Sequence, residues 1–362
     1  MRKILFLAAP FELYKGGAEY QYKILEKYLP AYYKVYYLFR HTSKIENEKY
    51  ITYNYGLRSK YNRYLYTDMI TIYKLICKIS PDIIYKRGLN YITFIGALYA
   101  KYHNCNMIFH IAHQNDVEPF QLKFGSGIIL EYFDKKLMKL AVKSVDKVIG
   151  QAQYQDKLLQ DNFNRRCDLI IPNFHEFPPK VQHKKKPLSI VWIANLKDWK
   201  QPEKFIRLAE IFETKSDAQF IIVGGAVENR YKENIALKIN KISNLEYLGE
   251  LSIDQVENLL SEASIFVNTS KYEGFPNTFI QAWLRKVPVI SLHVDPDNIL
   301  KEKKIGFHSG SFEQMVQDLE ILINDGQLRR AMGKRAQKYA YVNHGIENNM
   351  KRMLKVFGNT DM

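Results

Sequence analysis

One pattern constrains this chain more than any other. Short apolar runs of strand length alternate with amphipathic stretches of helical period, and the series occurs twice. In the first series the predicted strands are Lys3–Ala9, Lys34–Phe39, Asp82–Tyr85, Met107–Ala112, Lys147–Gly150 and Leu169–Ile171. Predicted helices at Ala18–Tyr28, Tyr64–Ile79, Asn90–Tyr102, Ile128–Val142 and Gln153–Asn162 lie between most of them. Pro172–Pro187 then breaks every period with four prolines and a basic run, His183–Lys186, which reads as a solvated linker. Strands resume at Ser189–Ile193, Gln219–Val223, Leu245–Leu248, Ser264–Asn268 and Pro288–Leu292. Helices fit at Pro202–Glu213, Tyr231–Ile242, Ile253–Glu262 and Asn277–Leu284, with more after Phe312. Strands that alternate with helices pair in parallel and need both sheet faces covered. The fold expected is α/β: two doubly wound, Rossmann-like domains facing across a cleft, spanning 1–175 and 188–342 with a linker at 176–187. Ligands of such sheets bind beyond the carboxyl ends of the strands.

The formal charge of +15 is unevenly placed, with 27 basic and 16 acidic side chains in residues 1–180, which also hold 21 of the 26 tyrosines. A basic, tyrosine-rich half suits an anionic partner such as a membrane surface or lipid phosphate. The Lys/Ile/Asn/Tyr-rich usage of an AT-rich genome gives the same composition. No recognised nucleic-acid module accompanies the charge, so nucleic acid is not the expected partner. Cys77, Cys105 and Cys167 form no CxxC pair and fit buried thiols in a reducing compartment. The apolar run Ile4–Ala9 is shorter than the ~7–15 residues of a signal core and reads as a buried first strand. No stretch approaches the ~20 apolar residues of a spanning helix. The expected location is cytoplasmic, peripheral on the inner face of the plasma membrane.

Three strand-to-helix turns carry chemistry. The first strand runs into Gly16-Gly17-Ala18-Glu19, where backbone N–H groups can approach an anion at a helix N-terminus. It is not GxGxxG, and the dinucleotide reading is weak. In the second half, Asn195-Leu-Lys197-Asp-Trp-Lys200-Gln-Pro202-Glu203 follows a strand and opens a helix, placing Lys197 and Lys200 where a diphosphate could sit. The sharpest segment is Ser270-Lys-Tyr-Glu273-Gly-Phe275-Pro-Asn277-Thr278-Phe-Ile-Gln281. There a strand delivers Glu273 into a Gly-Pro turn that starts a helix. Its carboxylate can accept bonds from sugar hydroxyls, and the N–H groups near Asn277 and Thr278 can hold phosphate. Read blandly, Glu273 satisfies its own loop, Thr278 is a cap and the two lysines are solvated.

This last segment resembles the signature of the retaining nucleotide-sugar glycosyltransferases of family 4, of GT-B fold and bacterial surface-polysaccharide type. The resemblance extends in order through Gly16–Glu19, Ile171-Pro172-Asn173, Asn195–Lys200, Ile222–Gly225, Tyr247-Leu248-Gly249 and the EGFPN turn at Glu273–Asn277. It implies that the last helices cross back, so that about 343–362 joins the first domain. It also implies roles. Glu273 would bind the transferred sugar and support developing positive charge, and Lys200 would pair with the diphosphate. Gly16 and Gly17 with Thr278 would offer backbone donors. Tyr247 and Gly249 would flank the nucleobase, and Phe275 and Asn277 would line the donor site. His113, after the strand Met107–Ala112, would stand beside the donor's sugar as the second catalytic residue, with His110 and Asp116 in reserve. Two residues depart from the pattern. Gln281 replaces the Glu that grips the ribose, and Asn195 replaces a phosphate-binding Arg, leaving Lys197 as the nearest cation. Asp295-Pro-Asp297 reads as an Asp-Pro turn rather than a metal site, and neither metal nor cofactor is expected.

The implied activity is retaining transfer of a sugar from a nucleotide-diphosphate sugar to a glycan or lipid-linked acceptor hydroxyl, with residues 41–61 and 113–127 as candidate acceptor loops. A nucleotide-sugar epimerase or inverting transferase on the same fold is the chemical alternative. A degenerate subunit that binds glycan or a partner enzyme is the other, favoured by Gln281 and Asn195. Glu273→Ala is expected to abolish transfer with the melting temperature nearly intact.

Overall fold

The computed structural model describes residues 1–40, 47–54, 67–118, 128–178, 187–225, 239 and 241–358. They divide into two compact units, Met1–Asn173 with Lys351–Met362, and Phe174–Met350. The basic run 183–186, most of the predicted helix 231–242 and most of the two candidate acceptor loops lie outside the described residues.

Unit 1 is built on seven parallel strands: β1 (Arg2–Phe6), β2 (Tyr33–Phe39), β3 (Tyr50–Asn54), β4 (Ile83–Arg87), β5 (Asn106–His110), β6 (Lys147–Gly150) and β7 (Leu169–Ile170). Their order is β3-β2-β1-β4-β5-β6-β7, with Ile4 of β1 paired to Val35 on one side and Ile83 on the other. The helices are α1 (Gly17–Tyr28), α2 (Thr67–Ile79), α3 (Tyr91–Tyr102), α4 (Ile128–Ser144) and α5 (Gln153–Phe163). Asn90 sets the start of α3 by accepting from Ile92 N at 3.1 Å. The β3 strand was not expected: it falls inside the candidate acceptor loop 41–61 and adds a sheet edge there. Its alternation is weak because Ile51 faces solvent, and only pairing with β2 defines it. Part of the tyrosine excess of the first half is core. Tyr22, Tyr33, Tyr36, Tyr37, Tyr50, Tyr85 and Tyr99 are buried, and Phe6, Tyr22, Tyr37 and Tyr85 form an edge-to-face cluster.

Unit 2 is built on six parallel strands: β8 (Ser189–Ile193), β9 (Gln219–Val223), β10 (Leu245–Tyr247), β11 (Ile265–Asn268), β12 (Val289–Ser291) and β13 (Gly306–His308), in the order β10-β9-β8-β11-β12-β13. The described helices that follow are α6 (Pro202–Phe212), α7 (Ile253–Glu262), α8 (Asn277–Leu284), α9 (Ile299–Glu302), α10 (Phe312–Asn324), α11 (Gly326–His344) and α12 (Ile346–Val356), the last of which belongs to unit 1 from Lys351 on. The β13 strand is too short and too polar to show as an apolar run. Phe174 and His175 are buried in this unit, so the boundary falls at Asn173/Phe174.

Both sheets reverse their order beside their first strand, between β1 and β4 in unit 1 and between β8 and β11 in unit 2. Helices after two such strands leave on opposite faces and open a crevice at the carboxyl ends. Each turn nominated from the sequence follows a strand at one of these points.

Candidate active site

In unit 2 the turns after β8 and β11 are bonded into one structure. The backbone after β8 turns through Asp198–Lys200 and is redirected into α6 by Gln201, held in the left-handed region at φ 49°, with Pro202 in the first helical position. The Thr269 hydroxyl lies 2.6 Å from Lys200 O and 2.9 Å from Gln201 O, and it accepts from Trp192 Nε1 at 2.8 Å. Lys271 N donates to Trp199 O at 2.8 Å. Across this knit, Lys200 Nζ donates to Glu273 Oε1, which also accepts from Ser270 Oγ at 2.8 Å. The two side chains are 17% and 13% exposed, so the ion pair is shielded from bulk water but open on one side. Lys197 lies over the Trp199 ring, 4.9 Å from its centroid, and Trp199 stacks at 6.4 Å on Tyr272. Lys197 is thus anchored on an indole beside the pair.

After Glu273 the chain enters α8 through Pro276, and the first N–H groups of α8 have no partner within the helix. Asn277, its first residue, accepts from His175 Nε2 at 3.0 Å, while His175 N donates to His344 O at 2.9 Å. Burial pushes the His175 pKa down to about 3, with His344 and Arg285 adding to the fall, so the ring is neutral with its proton on Nε2. The Phe275 ring is buried 4.7 Å from that of His344 and 6.2 Å from that of Trp283. Its side chain belongs to the packing under the turn. Thr278 is half-buried in the first turn of α8 and Gln281 is buried one turn further on. The third edge of the site is glycine. A Cβ on Gly224 would overlap Ala194 O, and Gly224 N donates to the carbonyl of Gly249, which sits at φ 69°. The Tyr247 hydroxyl donates to Gly224 O at 2.8 Å, and Leu196 N donates to Gly225 O at 2.8 Å, which places Asn195 beside the same glycines.

In unit 1, Gly16 caps α1 in an extended conformation at φ −133°, and a Cβ there would meet the Glu19 carboxylate. Neither a positive φ nor a fixed backbone neighbour requires glycine at 16, since the atom a Cβ would meet is the movable end of the Glu19 side chain. Gly17 opens the helix. Beyond β5, His113 caps a short turn at Gln114–Asp116, its Nδ1 accepting from Asn115 N at 3.1 Å. The neutral ring then carries its proton on Nε2. Asp116 is buried and accepts from Leu89 N, Ala112 N and His113 N at 2.8–2.9 Å, so it ties the ends of β4 and β5 and sets the His113 backbone. His110 is fully buried, with Nδ1 2.8 Å from the Tyr85 hydroxyl and 3.1 Å from Arg87 Nη1. Burial and the Arg87 charge hold its pKa well below the usual histidine value. It is a core residue, which leaves His113 as the histidine at the strand end.

Asp295 accepts from Leu300 N at 2.9 Å and caps the turn Pro296–Asn298. Among the described residues no three His, Cys, Asp or Glu side chains converge as metal ligands, and no helix is long and apolar enough to cross a membrane. Sequence reading gave no role to Thr269, Ser270 or His175. The first two stand as a polar pair closing an apolar strand, a usable signal. His175 carried none, since it sits in a proline-rich stretch read as linker.

Residues 173–339 match the family model described as glycosyl transferases group 1. The match spans nearly all of unit 2, which is similar to a group 1 glycosyl transferase domain. The β8 and β11 turns, the glycine edge and α8 all lie within the match. Among curated relatives, the poly(ribitol-phosphate) alpha-N-acetylglucosaminyltransferase of Staphylococcus aureus (strain COL) is 24% identical over 234 residues, 62% of this chain and 46% of that protein. The chain spans about half the length of the first curated relatives it matches, 49%, 57% and 46%. In fold it is similar to sucrose-phosphate synthase from Thermosynechococcus elongatus, with TM-score 0.80 and 14% identity over 99% of this chain and 98% of that one. It is also similar to Anabaena Alr3699/HepE, solved in complex with UDP-glucose, with TM-score 0.73 and 15% identity over 99% and 100%. Two parallel Rossmann-like units on this plan are the GT-B fold.

Proposed function

We propose that the chain transfers a sugar, with retention of its anomeric configuration, from a nucleotide-diphosphate sugar to an acceptor hydroxyl on a glycan or lipid-linked glycan in cell-surface polysaccharide synthesis. The observation that carries this reading is the Lys200–Glu273 pair at the β8/β11 switch point, beside the start of α8. One arm of the pair is a cation suited to a diphosphate and the other a carboxylate suited to sugar hydroxyls. Before any ligand arrives, the Thr269 hydroxyl holds the Lys200 carbonyl and the Ser270 hydroxyl holds the Glu273 carboxylate. As the donor bond breaks, negative charge grows on the diphosphate and positive charge on the sugar. Lys200 and the N–H groups of α8 face the first, and Glu273 faces the second. That charge stabilisation needs no metal. Gly224, Gly225, Tyr247 and Gly249 give a flat, side-chain-poor edge for the nucleobase, and Gln281 takes the ribose. The Nε2 proton of His113 is offered to a sugar hydroxyl.

The names of relatives support the donor and acceptor classes: one transfers N-acetylglucosamine to a polyol phosphate polymer and another was solved with UDP-glucose. The positive excess of residues 1–180 supports an acceptor held at an anionic membrane. A thermal shift screen of UDP-, GDP- and CDP-sugars in EDTA tests the reading. One nucleotide series stabilises the protein, and Lys200→Met removes that gain. No shift with any of them would replace the enzyme with the glycan- or partner-binding subunit that Gln281 and Asn195 suggest.

A further inference from the structure

Helix α4 has a face that the core does not use. Its inner side is fixed by burial: Ala141 and Val142 are buried, and Met138 packs against the same cluster. At 3.6 residues per turn, Tyr132, Phe133, Lys136, Lys139, Leu140 and Lys143 share the opposite side. All six are exposed, Tyr132 by 53%, Phe133 by 50% and Leu140 by 42%. The Tyr132 and Phe133 rings touch edge to face at 6.1 Å, so two aromatic side chains stand together in water. The face carries three lysines and no acid, and Asp134 falls on the inner side. Aromatic and aliphatic side chains interleaved with lysines along one helix stripe are the composition of a helix lying in a lipid headgroup region. There the lysine stems reach along apolar surface and their ammonium groups meet phosphate.

Helix α1, another lysine-bearing helix of this unit with tyrosines along it, is less suited. Tyr33 is buried and donates to Phe357 O at 3.0 Å, Tyr22, Ile24 and Leu25 point into the core, and the rings beneath Lys23 and Lys27, those of Phe11 and Tyr28, are half-buried rather than exposed.

We propose that the Tyr132–Lys143 face of α4 docks unit 1 on an anionic lipid bilayer, with Tyr132, Phe133 and Leu140 inserted at the headgroup boundary and the lysines against lipid phosphate. This deepens the reading above, in which the acceptor waits at a membrane, and rests on it only for the purpose of docking.

The test uses the full chain and phosphatidylcholine vesicles with and without phosphatidylglycerol, measured by co-sedimentation. The wild type pellets with the anionic vesicles, stays in solution with the neutral ones, and is released by salt. Lys136→Gln with Lys143→Gln weakens partitioning about thirtyfold, roughly fivefold for each surface charge. Tyr132→Ser, Phe133→Ser and Leu140→Ser together weaken it about a hundredfold, half a full burial for each side chain. Lys23→Gln with Lys27→Gln on α1 leaves it unchanged. All variants keep the wild-type melting temperature and release nucleotide diphosphate from the donor at the wild-type rate in solution. Wild-type protein that ignores anionic vesicles, binds neutral ones equally, or binds only a soluble polyanion such as heparin overturns the proposal. So do α4 variants that bind like wild type. Failure of donor turnover with vesicle binding still mapped to α4 would instead refute the transferase reading and leave the docking face standing.

Discussion

Removing the charge of Glu273 without changing its shape isolates what the Lys200 pair contributes. In Glu273→Gln the amide still accepts from Ser270, but the Lys200 ammonium, 17% exposed, loses its counter-charge. Breaking a fully buried pair from one side costs about 3–5 kcal/mol, and an exposed pair contributes about 0–1 kcal/mol. The residual exposure here places the loss near 2 kcal/mol. For a unit of this size that lowers the melting temperature by about 6 °C. This revises the sequence-based expectation that replacing Glu273 leaves the melting temperature nearly intact. Lys200→Met strands the carboxylate instead and costs a similar amount. The double variant Lys200→Met/Glu273→Gln strands neither charge, so it recovers about 1–2 kcal/mol of the summed losses while sugar transfer stays abolished. Urea denaturation of the four proteins at neutral pH, with unchanged m-values, reads the coupling. Losses that add to within about 0.5 kcal/mol would mean the two side chains do not act as a pair, and the preorganisation argument would fall.

Three further outcomes follow from the geometry. His175 binds its proton only near pH 3 when folded but near 6.5 when unfolded, so below pH 6.5 the unfolded state takes up more protons and stability falls as pH falls. Between pH 6.5 and 5 its contribution falls by about 1 kcal/mol per pH unit on average, approaching about 1.4 toward pH 5, and urea melts should show His175→Gln, which keeps a donor to Asn277, with a flatter slope by that amount. Gly224→Ala forces a Cβ into Ala194 O and should cost about 3 kcal/mol or more, together with all stabilisation by nucleotide sugar in a thermal shift assay. His113→Asn keeps an acceptor for Asn115 N and hence the cap, but removes the Nε2 proton. Transfer should fall at least tenfold at an unchanged melting temperature, and unchanged transfer would remove His113 from the site.

Much of the fold was legible because parallel sheets leave a strong local trace. Continuous apolar runs at β1, β8 and β11, each followed by a helical period, fix the αβ alternation without any tertiary knowledge. The elements that escaped, β3 and β13, are edge strands, short and partly solvated, whose existence depends on the neighbour they pair with. At the site, Glu273 and Lys200 stood out because a strand-to-helix turn exposes whatever it carries. Their direct pairing was not legible, since 73 residues separate them and only the β8/β11 neighbour relation brings them together. His110 shows what alternation does carry: its place in β5 is compatible with a core side chain, and it is fully buried. Phe275 lies in an irregular turn with no such period, and the burial of its ring against His344 was not legible.

The most direct test is release of nucleotide diphosphate from the preferred nucleotide sugar in the presence of acceptor, measured for wild type and Glu273→Gln side by side with the anomeric configuration of the product read by NMR. The account predicts transfer with retained configuration by the wild type and a loss of at least a hundredfold in the variant, with EDTA without effect. Wild-type rates in Glu273→Gln, or an inverted product, would contradict it.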